Sequence, residues 1–260
     1  MRFEGLHSVA DYAALYAALR QEELGDRLER ELGEYTFGCD TGSGEIAFTS
    51  RDGDTTITAT TVLIATIAPD AGSILWGWAH PDGDPNGEAA RLRDLGHRHG
   101  ISDLRASSLG LPVLRSETEA ESYSADLAHV IGAAGVEATG ISPYYSAPIA
   151  GGGRAVFVLR DLELPEPSFA DFAAKAPRLL PGLQVTDPRL AVHGLVLRRG
   201  WQVSWNAQGP RTIPSCHVTD GTSNVVISFD DRANAMEFHT TIEATSEPES
   251  SDHPAGFAPG

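Results

Sequence analysis

The chain has 260 residues, of which 36 are acidic and 19 are lysine or arginine, so its formal net charge at neutral pH is −17. Nucleic acids and anionic membranes bind proteins through clustered basic side chains, and this charge balance therefore argues against both as partners. The length allows one large domain or two small ones, each with a packed core.

Cysteine content and the N-terminal sequence bear on the cellular compartment. The two cysteines, Cys39 and Cys216, are too few and too far apart to indicate a secreted disulfide framework. The first fifteen residues lack the apolar core of a signal peptide, and no apolar run is long enough to cross a bilayer. We therefore expect a cytoplasmic protein.

The first predicted element is a long helix. Ser8 is a suitable N-cap for a helix that starts at Val9, and apolar residues recur on one face as far as Leu32. Gly25 is a position where this helix could kink, because glycine is a weak helix former. Gly33 is a typical stop signal.

The next stretch predicts a sheet. Two short strands are expected at 35–39 and 45–49, followed by the most apolar stretch of the chain, 55–81. This stretch first alternates, then becomes almost continuously apolar at 62–68, and after a turn has a second apolar run at 74–79. Alternation indicates one buried face and continuous hydrophobicity indicates two, so we predict the central hairpin of a sheet covered by helices.

Two helices and a second hairpin are predicted after this stretch. A helix is expected at about 87–100, and the Ser-Glu-Thr-Glu sequence that begins at Ser116 is a capping box for another. Strands at 138–147 and 154–159 would flank a run of three glycines. The elements up to this point predict an α+β fold, in which helices pack on an antiparallel sheet.

The C-terminal part is predicted as a small αβ unit. A short helix after Ser168 would end at Pro177, and the composition becomes proline-rich over 165–188. We therefore predict a central α+β domain and a β-rich unit that ends in a helix, followed by a disordered acidic tail; the bounds are 1–180, 186–245 and 246–260. The elements expected in the second unit are three strands and a helix, at 190–197, 201–205, 224–229 and 230–242.

Three short motifs in the central part are similar to an uncharacterised, mainly actinobacterial domain family. They are Trp76-Gly77-Trp78-Ala79-His80, Leu92-Arg93-Asp94-Leu95-Gly96, and Tyr144-Tyr145-Ser146-Ala147-Pro148 followed by three glycines. The family signature is roughly W-L-W-A-W-A-N, then L-R-E-L-G, then Y-Y-x-x-P-x-x-G-G. The agreement covers about residues 35–159, and His80 stands where the family usually has tryptophan or asparagine. The resemblance implies a domain of that extent and no activity, cofactor or catalytic residue.

The aromatic residues of these motifs are the candidate binding site, together with the histidine that follows the second tryptophan. Trp76 and Trp78 would share one face of a strand, because side chains two residues apart lie on the same side. Such pairs usually belong to the core, but large aromatic side chains also anchor partners when their face is open. We expect Trp78 to be core and Trp76 to be more accessible. The candidate binding residues are Trp76, Trp78, His80, Tyr144 and Tyr145.

Asp82, Asp84 and Asn86 form the first half of a calcium loop of the D-x-D-x-N-G type. A complete loop needs a bidentate glutamate at its twelfth position, where this chain has Arg93. A turn that leads into a helix explains the same residues without an ion. We therefore predict that the protein binds no metal and needs no cofactor.

No catalytic motif is present. Patterns such as G-x-S-x-G, H-E-x-x-H, C-x-x-C and G-x-G-x-x-G do not occur, and the neighbouring Cys216 and His217 would point to opposite faces of a strand. The first hypothesis is therefore a non-catalytic binding module for another protein or for a second copy of the chain, by fold analogy with small acidic dimeric chaperones. The alternative is a hydrolase that assembles histidines and carboxylates from distant segments.

Overall fold

A computed structural model describes residues 2–40, 43–206, 214–230 and 235–241. The predicted disordered tail, 246–260, lies outside the described residues. The described part contains six α-helices and two antiparallel sheets, one of which is curled into a half-barrel. This architecture confirms the predicted α+β class.

The helices and strands alternate along the chain in short groups. The α-helices are α1 Glu4–Leu32, α2 Ala90–His99, α3 Ser102–Arg105, α4 Glu117–Thr139, α5 Phe169–Leu179 and α6 Pro188–Arg199. The strands of the large sheet are β1 Tyr35–Asp40, β2 Glu45–Ser50, β3 Thr56–Ala68, β4 Ser73–Trp76, β5 Ser108–Gly110, β6 Tyr144–Ile149 and β7 Gly153–Arg160. The small sheet consists of β8 Gln202–Trp205, β9 Ser215–Thr219, β10 Asn224–Phe229 and β11 Ala235–Thr241.

The long strand β3 organises the large sheet. Its first half pairs with β2 and its second half with β4, while β7 pairs along the other side and carries β6 beyond it. The β3–β7 register shifts between Leu63 and Ala65, and such a bulge bends and twists a strand. The rings of Phe37 on β1 and Tyr145 on β6 are 5.2 Å apart, although three strands separate β1 from β6. The sheet is therefore concave on the face that carries these rings.

Helix α1 contributes to both hydrophobic cores. Its 29 residues extend about 43 Å, at about 1.5 Å per residue. The N-terminal half packs with α4 and α6 in one core, in which α4 covers the sheet. The C-terminal half contributes Leu24, Leu28 and Leu32 to a second core with Phe48 and Phe157. The helix ends at Gly33 as predicted, but it begins at Glu4 rather than Val9, and Ser8 lies inside it. It runs through Gly25 as one continuous helix.

The predicted strand at 74–79 is wrong in its second half. Strand β4 ends at Trp76, and a 3₁₀ turn at Gly77–Ala79 follows. A Cβ atom on Gly77 would lie 1.9 Å from the carbonyl oxygen of Leu63, so only glycine allows the chain to approach β3 this closely here. Trp76 and Trp78 therefore do not share a strand face.

Several C-terminal predictions are also corrected. The apolar run at 190–197 is part of helix α6, which starts at Pro188 after an N-cap by Asp187, and not a strand. Residues 235–241, predicted as helix, form strand β11 against β10. Pro177 lies inside α5 instead of ending it, and the residues from 138 to Thr139 belong to α4, so that the hairpin strand begins only at Tyr144.

The C-terminal part is held to α1 by a buried carboxylate. Asp11 is fully buried and accepts hydrogen bonds from the backbone N–H groups of Thr186 and Asp187, at 3.1 and 3.3 Å, and from the Thr186 hydroxyl. A salt bridge of 2.5 Å between Arg198 on α6 and Glu137 on α4 adds a second contact. Within the described residues the two sheets share no strand. The division into two domains stays a prediction.

Candidate functional site

The structure separates the two tryptophans that the sequence placed together. Trp76 is fully buried, and its indole Nε1 donates a hydrogen bond of 3.0 Å to the backbone oxygen of Asp103. Trp78 is only partly buried, and the guanidinium carbon of Arg93 lies 5.4 Å from its ring centroid. The predicted order of exposure is therefore wrong: Trp76 ends strand β4 inside the core, and the 3₁₀ turn that follows places Trp78 outside the strand.

The two tyrosines lie on opposite faces of β6. Tyr144 faces the helices and is 5% exposed, and its hydroxyl is 2.6 Å from Nδ1 of His129. Burial raises the pKa of Tyr144, so the phenol stays protonated and can donate this hydrogen bond. Tyr145 faces the concave side, where burial raises its pKa to about 12. Its ring packs against Phe48 at 5.1 Å. The five candidate residues therefore do not form one site.

A cleft of about 860 Å³ opens beside strand β3 of the large sheet, and we call it the sheet cleft. Strands β3, β6 and β7 supply its apolar floor and wall. The segment from His80 to Asp94 supplies its polar rim together with Arg160 at the end of β7, which is on the opposite face of that strand from Phe157. The floor and wall contain Leu63, Ile149, Ala155 and Phe157. The polar side chains of the rim are His80, Asp82, Asp84, Asn86, Glu88, Arg91, Arg93, Asp94 and Arg160. Of the predicted binding residues, only His80 lines the cleft.

Glu88 is the centre of a charge cluster on the rim. One of its carboxylate oxygens is 2.8 Å from Nε of Arg91, and the other is 2.5 Å from a terminal nitrogen of Arg160. The oxygen that faces Arg91 is enclosed, and the N–H of Arg91 is not aligned for a hydrogen bond to it. Arg91 also donates a hydrogen bond of 2.9 Å to the backbone oxygen of Thr139, which ties the start of α2 to the end of α4.

The histidine of the rim has a defined hydrogen bond. Nδ1 of His80 accepts a hydrogen bond of 3.2 Å from the backbone N–H of Asp82, so the proton of the neutral ring is on Nε2. A carboxylate oxygen of Asp82 is 3.8 Å from the same Nδ1. In a catalytic triad, the Nδ1–H group must instead donate a hydrogen bond to the carboxylate. Here Nδ1 of His80 instead accepts a hydrogen bond from the backbone of its own loop, which stabilises the loop.

The calcium half-motif forms a turn at the edge of the cleft. A carboxylate oxygen of Asp84 accepts a hydrogen bond of 2.9 Å from the backbone N–H of Asn86, as in an Asx turn. Arg93 donates to the backbone oxygen of Pro85 at 3.1 Å, so a cation lies beside this loop. Among the described residues, no three side chains of His, Cys, Asp or Glu lie close enough to hold a metal ion. That the protein binds no metal stays a prediction.

The two cysteines lie outside the cleft and have raised pKa values. Burial raises the pKa of Cys216 to about 12, and burial together with the neighbouring Asp40 raises that of Cys39. Neither thiol has the lowered pKa of a reactive thiolate. His217, next to Cys216, is exposed.

Sequence reasoning did not identify the charge cluster of the rim. Glu88 and Arg160 are far apart in the chain and belong to no motif, and only the tertiary structure brings them together. The composition of residues 82–93 is the one local signal, since polar residues there follow directly on the most apolar stretch.

Comparison with known proteins identifies the family and no activity. The chain matches the model of the Family of unknown function (DUF6882) over residues 7–162, more than half of its length, and it belongs to this family. No curated protein and no solved structure matches the chain. Within the described residues, no helix is both long and apolar enough to cross a membrane.

Proposed function

We propose that this member of the family is a non-catalytic binding module and that its ligand occupies the sheet cleft. The observation that carries the proposal is the combination of an apolar floor with several charged groups at one rim. Ligand sites are typically concave, largely apolar and supplied with a few oriented polar groups. The cleft volume of about 860 Å³ lies within the usual range for such sites, about 300–1,000 Å³.

The apolar wall of the cleft is open to solvent. Ile149, at the end of β6, is 41% exposed although it is large and apolar, while the neighbouring Ala155 and Phe157 are only 8% and 5% exposed. An apolar group of a ligand that covers Ile149 would remove apolar surface from water, at about 25 cal/mol for each Å². This surface favours a small apolar molecule or an apolar side chain of another protein as the occupant.

The hydrolase hypothesis has less support at this site. The described lining contains neither serine nor cysteine, and its hydroxyl groups belong to Thr61 and Thr66, neither of which is hydrogen-bonded to His80. A nucleophile needs a base within hydrogen-bonding distance and a third group that orients the base. A test is the hydrolysis of 4-nitrophenyl acetate: a rate above that of buffer that is lost on His80→Gln would favour the hydrolase.

The binding proposal is tested with a neutral, polarity-sensitive dye, N-phenyl-1-naphthylamine. We expect saturable fluorescence enhancement with the wild-type chain and a loss of about tenfold or more in affinity on Ile149→Glu, which places a charge on the apolar wall. The matched control is Val113→Glu, because Val113 is apolar, 92% exposed and outside the cleft. Equal effects of the two variants, or no saturable binding, would refute the sheet cleft as the binding site.

A further inference from the structure

We infer that the ligand of the sheet cleft joins an apolar body to a carboxylate, and that Arg160 and Arg91 bind this carboxylate. The inference rests on the proposed function, because it assigns a chemical class to the occupant of the same cleft. Its basis is a local excess of positive charge at the rim of the same cleft that has the apolar floor.

The excess of positive charge follows from the number of charged groups in the cluster. Glu88 is the single carboxylate between the two guanidinium groups, at 2.8 Å from Arg91 and 2.5 Å from Arg160. One negative charge faces two positive ones, so the cluster carries a net charge of about +1. A second carboxylate at this position would balance the cluster.

Both arginines keep donors for a further anion. Within the described residues, the one ion pair of the Arg160 side chain is with Glu88, through a terminal nitrogen, and the side chain is 40% exposed. Arg91 uses Nε toward Glu88 and one terminal nitrogen toward the backbone oxygen of Thr139, and its side chain is 54% exposed. The remaining N–H groups form the planar donor set that matches a carboxylate in a bidentate arrangement. Glu88 is only 25% exposed and holds both guanidinium groups in place.

Arg93, the third arginine of the rim, is already occupied. Its guanidinium lies over the ring of Trp78, donates to the backbone oxygen of Pro85 and contacts the carboxylate of Asp94 at 3.4 Å. The anion site therefore lies at the Glu88 end of the cleft.

Three carboxylates on the same rim oppose an anion and restrict where it can bind. Asp82 is 71% exposed, Asp84 is fixed by the backbone N–H of Asn86, and Asp94 is beside Arg93. They repel a negative charge from the loop side of the cleft, so a carboxylate is favourable only at the arginine pair. The net charge of −17 likewise disfavours multiply charged anions.

The apolar floor determines the rest of the ligand. Leu63, Ala155 and Phe157 offer no hydrogen-bonding side-chain groups, and Ile149 extends the apolar surface toward solvent. A medium-length aliphatic or aromatic carboxylic acid fits this division between one charged end and an apolar body. The carboxyl terminus of an apolar peptide offers the same chemistry.

The test measures how well decanoate and decan-1-ol, which share an apolar chain, displace N-phenyl-1-naphthylamine; calorimetric titration with each compound provides a direct measurement. We expect decanoate to bind about tenfold or more tightly than the alcohol, a ratio that one charge-assisted hydrogen bond supports. Arg160→Gln should abolish the preference and leave the affinity for decan-1-ol unchanged. Acetyl-Leu-Leu-Phe and its C-terminal amide distinguish a peptide source, which would show the same preference, from a small acid alone.

The control is Arg98→Gln on the exposed surface of α2, which changes the net charge by the same amount outside the cleft. Arg160→Lys keeps the charge and removes the bidentate geometry, so it should retain part of the preference if the variant is folded. Equal affinity for decanoate and decan-1-ol, or equal effects of Arg160→Gln and Arg98→Gln, would overturn the inference. If the dye binds and Ile149→Glu blocks it, such a result leaves the proposed function intact, so the two failures are distinguishable.

Discussion

Replacing Trp76 with phenylalanine should destabilise the protein by about 2–3 kcal/mol. The substitution removes two ring carbons and the indole N–H from a fully buried position. At about 0.8 kcal/mol for each buried carbon, the lost burial amounts to about 1.6 kcal/mol. The hydrogen bond to the backbone oxygen of Asp103 adds about 1 kcal/mol. Typical domains have unfolding free energies of about 5–15 kcal/mol, so we expect the variant to fold.

The matched substitution is Trp78→Phe. Trp78 is partly exposed, and its Nε1 atom has no hydrogen-bond partner in the described structure, so the same change should cost about 1 kcal/mol or less. Urea unfolding followed by circular dichroism measures both values from the midpoint and the slope. Equal costs, or a larger cost for Trp78→Phe, would contradict the assignment of Trp76 to the core.

Three further predictions concern glycine positions, a histidine and the attachment of the C-terminal part. Gly77→Ala should cost more than about 2 kcal/mol or prevent folding, because its Cβ would overlap backbone atoms, whereas Gly25→Ala in open helix should stabilise by about 0.5–1 kcal/mol. Burial lowers the pKa of His129 in the folded chain. Just below pH 6.5, the unfolded chain therefore binds more protons than the folded chain, and the free energy of unfolding should fall as the pH drops through this range. Asp11→Ala should cost about 2 kcal/mol or more and increase proteolytic cleavage within 165–188.

Each of these predictions has its own control. Urea unfolding of the two alanine variants gives the glycine values directly, and equal effects at both positions would refute the packing argument. The pH slope is compared with that of His129→Gln, which should be flatter; an unchanged slope would remove His129 as its cause. Asp26→Ala, at an exposed carboxylate on the same helix, should leave stability and cleavage nearly unchanged. If Asp26→Ala lowers stability and increases cleavage as much as Asp11→Ala, the buried hydrogen bonds of Asp11 do not hold the C-terminal part to α1.

Local signals in the sequence predicted much of the central part. Gly33 ends α1 as expected, Ser116 caps α4 through the backbone N–H of Glu119, and β3 follows from its apolar pattern. These features depend on nearby residues: a helix cap, a helix stop signal and an apolar alternation each act over a few residues along the chain. The α+β class followed from their order.

The tertiary structure decided the features that depend on distant contacts. An apolar run such as 190–197 fits a helix or a buried strand, and its packing against α1 makes it the helix α6. Position 77 requires glycine because the backbone of β3 is adjacent there. No residue near Gly77 in the sequence indicates this contact. The sheet cleft likewise depends on tertiary structure, because Glu88 and Arg160 are far apart in the chain and meet only in the folded protein. Local sequence signals determined the caps, stops and periodicity of several central elements, whereas packing determined which charged side chains meet at the rim of the cleft.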